Sequence, residues 1–158
     1  MTGFTFVYDA PDAVRGWIER HIGEENAFGD AYCIGIGFDG KPIAGLAYYD
    51  FQEEKFGSQI TMAIAASDSR WATRRNIGRI FDYPFNYLGC NRATVRISAR
   101  NQRSIKLCLG VGFRKEGEIR RGWDGKTNML VLGMLAEECR WLKYLKPGDS
   151  IADMKRSA

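Results

Sequence analysis

The alternation of apolar and polar residues predicts a series of strands in the first half of the chain. Two β-rich runs, 31–38 and 41–51, are joined by Asp39-Gly40, a pair that tolerates the left-handed backbone of a tight hairpin. A third run, 58–66, places alternate apolar side chains on one face: Ile60, Met62, Ile64 and Ala66. With a short strand at 5–8, the pattern predicts four strands before the middle of the chain.

Apolar residues spaced three and four apart predict helices. The first helix covers residues 11–22, and a second covers 72–88, where Pro84 kinks the last turn and Gly89 ends the helix. The polar face of this second helix includes Asp82. A strand at 93–97 then leads to Asn101, which caps a short helix that runs to about residue 109.

The remaining residues predict a strand at 113–121, a turn at Asp124-Gly125, a strand at 129–134 and a helix at 135–145. The element order is then that of a mixed α/β (α+β) fold, in which helices flank a mostly antiparallel central sheet. We expect a single domain over residues 1–146, followed by a frayed polar tail over 147–158.

Composition excludes several classes of function. No apolar stretch approaches the roughly 18–20 residues that cross a bilayer, and the N-terminus lacks the pattern of a signal peptide, so we expect a cytoplasmic protein without membrane contact. The four cysteines have no metal-ligand spacing and His21 is the single histidine, so we predict no metal site. The net charge of +4 suits an anionic ligand but is far below that of a dedicated nucleic-acid binder.

One spaced run carries a family resemblance. Residues 101–117, NQRSIKLCLGVGFRKEG, resemble the N-x-x-S-I-x-x-x-x-x-x-G-F-x-x-E-G segment of the GNAT (GCN5-related) N-acetyltransferases. They look closest to the branch that acetylates ribosomal-protein N-termini and aminoglycosides. An ordinary helix that follows a strand and a turn would explain Asn101 as its N-cap residue. It would not explain the other matching residues of the 101–117 segment. The resemblance extends from about Ser58 to Trp141, and the first 57 residues match only in element order.

The resemblance implies the GNAT fold and acetyl-CoA as the cofactor. In the family, a glycine-rich loop before a helix cradles the pyrophosphate of CoA. This loop can be placed at two positions in the sequence. At residues 75–78 it contains Gly78, but the helix that follows is shorter than in the family. At residues 68–73 the helix has the family length, but the loop contains no glycine, and we take this second register. Arginines at a helix start oppose the helix dipole unless an anion lies between them. The expected cofactor-binding residues are Met62, Ile64, Arg70, Trp71, Thr73, Arg74, Arg75, Asn101 and Ser104.

The resemblance also implies candidates for catalysis. Many family members place a tyrosine acid where this chain has Cys108, and Ser104 is the other nearby candidate, beside the capping Asn101. For the base, we look to Tyr49 at a strand end. The other candidates for the acceptor side are Tyr48, Asp50, Glu53, Glu54, Trp123 and Asp124. Proton transfer through water would need no particular side chain.

We therefore predict an N-acyltransferase that moves an acetyl or related acyl group from CoA to a primary amine of a small molecule or protein. Two alternatives stay open: a divergent GNAT-fold protein that modifies DNA bases, and a non-catalytic module that keeps the fold for binding. Nucleic acid is the less favoured partner, and a homodimer is left open.

Overall fold

The computed structural model describes residues 3–156, which form one seven-stranded sheet with helices on both faces. The strands are β1 (Phe4–Val7), β2 (Tyr32–Phe38), β3 (Lys41–Glu54), β4 (Gly57–Ala66), β5 (Arg92–Ser98), β6 (Arg114–Ile119) and β7 (Met129–Leu135). The helices are α1 (Pro11–Ile22), α2 (Arg74–Phe81), α3 (Gln102–Val111) and α4 (Ile151–Arg156). The order across the sheet is β1-β2-β3-β4-β5-β7-β6, and only β4 and β5 run parallel. The predicted mixed, mostly antiparallel architecture is confirmed.

The hairpin between β2 and β3 forms where the sequence predicts it. Asp39 and Gly40 both have positive φ, 51° and 81°, which is the conformation that a two-residue turn needs in order to match the twist of the strands. β4 then pairs antiparallel with β3. The first four strands are thus a meander built from local turns.

Helix α1 covers one face of the sheet. Ile18 is almost completely buried and packs with Ala47 and Ala65, which alternate with residues that face the other side. Close approach requires Gly45, because a Cβ at this position would lie 2.6 Å from Ile18 Cγ1. The opposite face carries the larger core and is covered by α2 and α3. Nothing comparable to α1 packs on the β5–β7–β6 half of the first face within the described residues.

Helix α2 begins where the second register places it. The Thr73 side chain accepts the Asn76 N–H at 3.1 Å, and α2 continues into a wider turn over Asp82–Tyr87. Pro84 lacks an N–H, and this turn accommodates it. The expected exposure of Asp82 is wrong: it is buried and accepts hydrogen bonds at 2.9 Å from the Ile151 N–H and from Asn86. A distant backbone group therefore decides the position of this carboxylate.

The predicted helix at 135–145 is wrong. Two short 3-10 turns, Ala136–Glu138 and Leu142–Tyr144, replace it. The segment is held from outside, because the Trp141 indole donates to the Val111 carbonyl at 2.7 Å and the Arg140 guanidinium donates to the Gly110 carbonyl at 2.7 Å. These contacts with the end of α3 outweigh the helical pattern of the segment itself.

The expectation of a frayed tail is also wrong for the described residues after 146. Asp149 and Ile151 are buried, and Ile151 begins α4. The Arg75 guanidinium donates two hydrogen bonds to Asp149, at 2.6 and 2.8 Å. The end of the chain thus fastens the first turn of α2, while residues 157–158 of the predicted tail lie outside the described residues.

The Asp149 carboxylate makes stability depend on pH. Hydrogen bonds from Arg75 hold the pKa of Asp149 below its ordinary value, so its contribution is complete above about pH 4 to 5 and is lost as pH falls through the lowered pKa. We expect Asp149→Asn to lower the free energy of unfolding by about 1–3 kcal/mol at neutral pH. Urea titrations should show this difference shrinking in acid. Asp12→Asn on the exposed side of α1 is the control, and a constant difference at every pH would contradict the assignment.

Candidate functional site

The site begins where β4 and β5 separate. The two parallel strands pair only over Gln59–Arg92, Ile60–Ala93 and Thr61–Thr94. Beyond that point, β4 pairs only with β3 and β5 only with β7. The strands therefore open toward their C-terminal ends, and the two facing backbone edges have no strand between them. A ligand with amide groups can hydrogen-bond to such an edge as an added strand would.

An apolar cleft lies against this opening on the α2–α3 side. The cleft is narrow, with a free volume of about 50 Å³. Met62 and Ile64 of β4 form one wall, Trp71 precedes α2, and Leu107 and Cys108 of α3 close the far side. The predicted cofactor-side residues Met62, Ile64 and Trp71 are thus brought together with Cys108.

The glycine-free loop before α2 is held by its own side chains. Asp68 accepts the backbone N–H of Arg70 at 2.9 Å, and the buried Asn76 amide donates to the Trp71 carbonyl at 3.0 Å. Thr73 caps the helix. Side-chain hydrogen bonds therefore shape the loop at the mouth of the cleft, where the sequence alone predicted only its position.

The three arginines of this loop and helix differ in their partners. Arg70 pairs with Asp68 at 2.6 Å and lies over the Phe38 ring, and Arg75 pairs with Asp149. Arg74, the first residue of α2, lies 5.5 Å from the centre of the Tyr144 ring. The charges of Arg70 and Arg75 are already balanced without an added anion. Arg74 is the arginine best placed to meet one.

Asn101 caps α3, as the sequence predicts. Its side chain accepts the Ser104 N–H at 3.2 Å. Ser104 lies one turn before Cys108 on the same side of the helix. Burial raises the pKa of the Cys108 thiol to about 11, so this thiol is protonated at neutral pH and is a poor proton donor to another thiolate, whose ordinary pKa is about 8.5.

The predicted tyrosines lie away from the cleft. Tyr48 is fully buried and donates to the Ile80 carbonyl at 2.7 Å, which removes it from the candidates for a base. Tyr49 points to the α1 side, where its ring contacts Phe28, and its register partner is Thr61, the last β4 residue paired with β5. Tyr49 therefore stands on the opposite face of the sheet from Ser104 and Cys108.

The remaining candidates for the acceptor side have structural roles or lie on the surface. Asp124 accepts the backbone N–H groups of Lys126 and Thr127, at 2.9 and 2.6 Å, which lowers its pKa and makes it a turn-forming carboxylate. Trp123 in the same turn is half exposed. Glu53 and Glu54 are exposed at the end of β3. Only Asp50 among the predicted carboxylates lines a groove on the sheet.

This groove contains functional candidates that the sequence reasoning missed. It lies on the sheet face that α1 leaves uncovered, and an ion pair between Asp50 and Arg96 at 3.3 Å lies across it. Arg92 and Glu116 form a second pair. The sequence of β5 does indicate a polar face, since Arg92, Thr94 and Arg96 alternate with apolar residues. The sequence pattern of a strand does not show whether its polar face is covered by a helix, so the groove could not be predicted.

Within the described residues, no helix is both long and apolar enough to span a membrane. The same part of the chain holds no cluster of His, Cys, Asp and Glu suited to a metal ion.

Comparisons of sequence find no relative, since neither a family model nor a curated protein matches. Comparison with solved structures does find similar folds. The fold is similar to that of the ribosomal-protein-S5-alanine acetyltransferase of Vibrio fischeri, with 18% identity, a TM-score of 0.57, and coverage of 70% of this chain and 63% of that one. It is similar to Mycobacterium smegmatis RimJ in complex with CoA-disulfide, with 22% identity, a TM-score of 0.58, and coverage of 71% and 56%.

A variant of the spermidine N-acetyltransferase SpeG of Vibrio cholerae matches over more of both chains. The identity is 14%, the TM-score is 0.68, and the match covers 90% of this chain and 96% of that one. The chain spans less than two thirds of the first two proteins but nearly all of this third one. At these identities the likeness establishes the fold.

Proposed function

We propose that this chain, which has the GNAT fold, is an acyl-CoA-dependent N-acetyltransferase that acetylates a primary amine. The observation that carries the proposal is the separation of β4 from β5 after Thr61 and Thr94, with an apolar cleft on one side and a polar groove on the other. Such an opening gives a donor and an acceptor separate approaches to one point. The likeness to a structure that contains CoA-disulfide supports the choice of cofactor.

The lining of the cleft suits an extended chain that carries amides. Its walls are apolar, and the β4 edge over residues 62–66 is not paired with β5, so backbone groups there are available to the pantetheine amides. Asn101 and Ser104 stand at the start of α3 on the far side. Arg74 at the start of α2 would meet a phosphate. Arg70, Trp71 and Thr73 shape the loop before it, and Arg75 ties the first turn of α2 to Asp149.

Acetyl-CoA, when bound, would supply the acetyl group as a thioester. The C–S bond would break as the amine nitrogen bonds to the carbonyl carbon, and the proton that the nitrogen then gives up would neutralise the departing thiolate. The amine must arrive without its extra proton, and the groove is open to water that can take this proton. Cys108 lines the cleft, and the raised pKa of its buried thiol disfavours it as the acid. Ser104 is the better candidate to donate a hydrogen bond to the departing sulfur.

The acceptor, the compartment and the assembly belong to the proposal as well. Similar folds include a spermidine and a ribosomal-protein alanine acetyltransferase, so small amines and protein N-termini are both suitable acceptors to try. The cysteines Cys33, Cys90, Cys108 and Cys139 are all free thiols, in keeping with a reducing cytoplasm. A homodimer is to be tested by sedimentation.

Calorimetry with acetyl-CoA tests the function. We expect micromolar binding that weakens about tenfold in Arg74→Ala, because one charge-assisted contact is lost. Arg20→Ala, an exposed arginine on α1, is the matched control. A protein that ignores acetyl-CoA but binds DNA in a salt-sensitive manner would instead be the nucleic-acid modifier. Absence of both kinds of binding would leave the non-catalytic module.

A further inference from the structure

The two ion pairs in the groove of the uncovered face differ in how firmly they hold their carboxylates. Arg92 contacts Glu116 through both terminal nitrogens and also donates to Thr94 Oγ1 at 3.2 Å. Arg96 and Asp50 approach only to 3.3 Å, which is longer than a charge-assisted hydrogen bond of about 2.7–2.9 Å. The Arg96 and Asp50 side chains are 43% and 51% exposed. Asp50 therefore keeps room for a second cation.

The backbone places Asp50 at the point where the strands open. Its φ is 51°, within the register shift between Tyr49 and Gln52. From β3, its ion pair reaches over β4 to Arg96, two residues past Thr94, where pairing between β4 and β5 ends. An ammonium bound to Asp50 would thus lie beside the opening, which is where an amine must reach the acyl group.

The rim of the same groove is positively charged. Ile119 lines the groove and also a neighbouring depression formed with Arg120, Arg121 and Lys126. Among the side chains that the structure describes, no carboxylate forms an ion pair with these three cations. Asp124, in the same turn, binds backbone N–H groups instead.

One groove joins Asp50 to this basic rim, because Asp50 and Ile119 both line it. The long side chains of Arg120, Arg121 and Lys126 shorten the gap that a ligand bound to the Asp50 carboxylate must span. The charges inside the groove cancel, so the rim gives the whole surface its positive sign.

We propose that the acceptor of this enzyme is a primary amine that also carries an anionic group, a carboxylate or a phosphate. Asp50 binds the ammonium, and the rim of Arg120, Arg121 and Lys126 binds the anion. The inference rests on the proposed function and names its substrate class. A polycation is the acceptor that this surface disfavours, because the rim repels its second charge.

Four amines of similar length test the charge preference. Aminovalerate and aminopropylphosphonate carry an anion, pentylamine carries none, and cadaverine carries a second cation. We expect kcat/KM to be about tenfold higher for the two anionic amines than for pentylamine, and lowest for cadaverine, with the differences shrinking at high salt. The two anionic amines distinguish a carboxylate from a phosphate as the preferred group.

Two variants separate the roles of the groove and its rim. Asp50→Asn removes the charge while an amide still tolerates the positive φ, and should lower kcat/KM about tenfold for all four amines. Arg121→Gln/Lys126→Gln should reduce the preference for aminovalerate over pentylamine from about tenfold to near one. Asp12→Asn and Arg20→Gln on α1 are the matched controls.

Calorimetry with CoA present measures affinity for the same amines, so that slow turnover cannot hide the result. Equal affinities, no affinity for any of the four, or tightest binding of cadaverine would overturn the inference. A protein that acetylates cadaverine best would keep the proposed function and lose only this inference. If the protein does not bind acetyl-CoA, the proposed function is wrong. The inference about the acceptor is tested separately, by whether amines that carry an anion bind more tightly than the other two.

Discussion

Replacing Trp71 with alanine should lower the free energy of unfolding by about 3–5 kcal/mol, the range for a buried aromatic residue. Trp71 is 5% exposed and packs in the main core, and it also lines the cleft between α2 and α3. Its carbonyl accepts the Asn76 amide and the Thr73 N–H, so its position is tied to the cap of α2. The substitution would leave a cavity under the loop that opens the cleft.

Urea denaturation measures this effect as a lower midpoint with an unchanged slope, and the melting temperature should fall by roughly 10 °C. Trp123→Ala is the matched control, because Trp123 is 47% exposed in the turn between β6 and β7, and it should stay within about 0.5 kcal/mol of the parent. A loss below about 1 kcal/mol for Trp71→Ala would mean that the loop does not depend on this side chain.

The second large effect is expected at Gly78, in the middle of α2. Alanine favours a helix by up to about 1 kcal/mol over glycine, yet we expect Gly78→Ala to destabilise the protein by about 1–3 kcal/mol. A Cβ at this position would lie 2.7 Å from the Trp141 carbonyl oxygen and 3.6 Å from Leu145 Cδ2. A backbone oxygen cannot move aside as the end of a side chain can, so the helix and the 141–145 segment must separate.

Gly110 in α3 provides the matched comparison. A Cβ there meets nothing within 4 Å, so Gly110→Ala should be neutral or stabilise by up to about 1 kcal/mol. Thermal unfolding of the two variants, followed by circular dichroism, compares them directly. Equal shifts for Gly78→Ala and Gly110→Ala would show that α2 does not pack closely on the segment after β7.

Gly78 also shows how far sequence reasoning reaches. One of the two registers treated it as a glycine of a phosphate-binding loop. The structure places it inside α2, where it permits contact with Trp141. The alternative register, with the loop over residues 68–73, agrees with the observed start of α2 at Arg74. Helix length distinguished the registers, but nothing in the sequence identified the partner of Gly78.

The sequence by itself determined the features that depend on neighbouring residues. Alternation placed β2, β3 and β4, Asp39-Gly40 closed their first hairpin, and Asn101 capped α3. Each is a local effect, since strand periodicity, positive φ and a side-chain cap involve residues at most a few positions apart. The spaced run from Asn101 to Gly117 added the fold through its resemblance to a known family.

Only the tertiary structure decided which side chains meet. The sequence predicts a helix over residues 135–145, but Arg140 and Trp141 bind the end of α3 and the segment is not helical. The sequence likewise predicts an exposed Asp82, but the Ile151 N–H donates to its buried carboxylate. The groove with Asp50 and Arg96 exists because α1 covers only half of its face of the sheet. These outcomes depend on partners 30 to 69 positions away, and no local pattern carries information about such pairs.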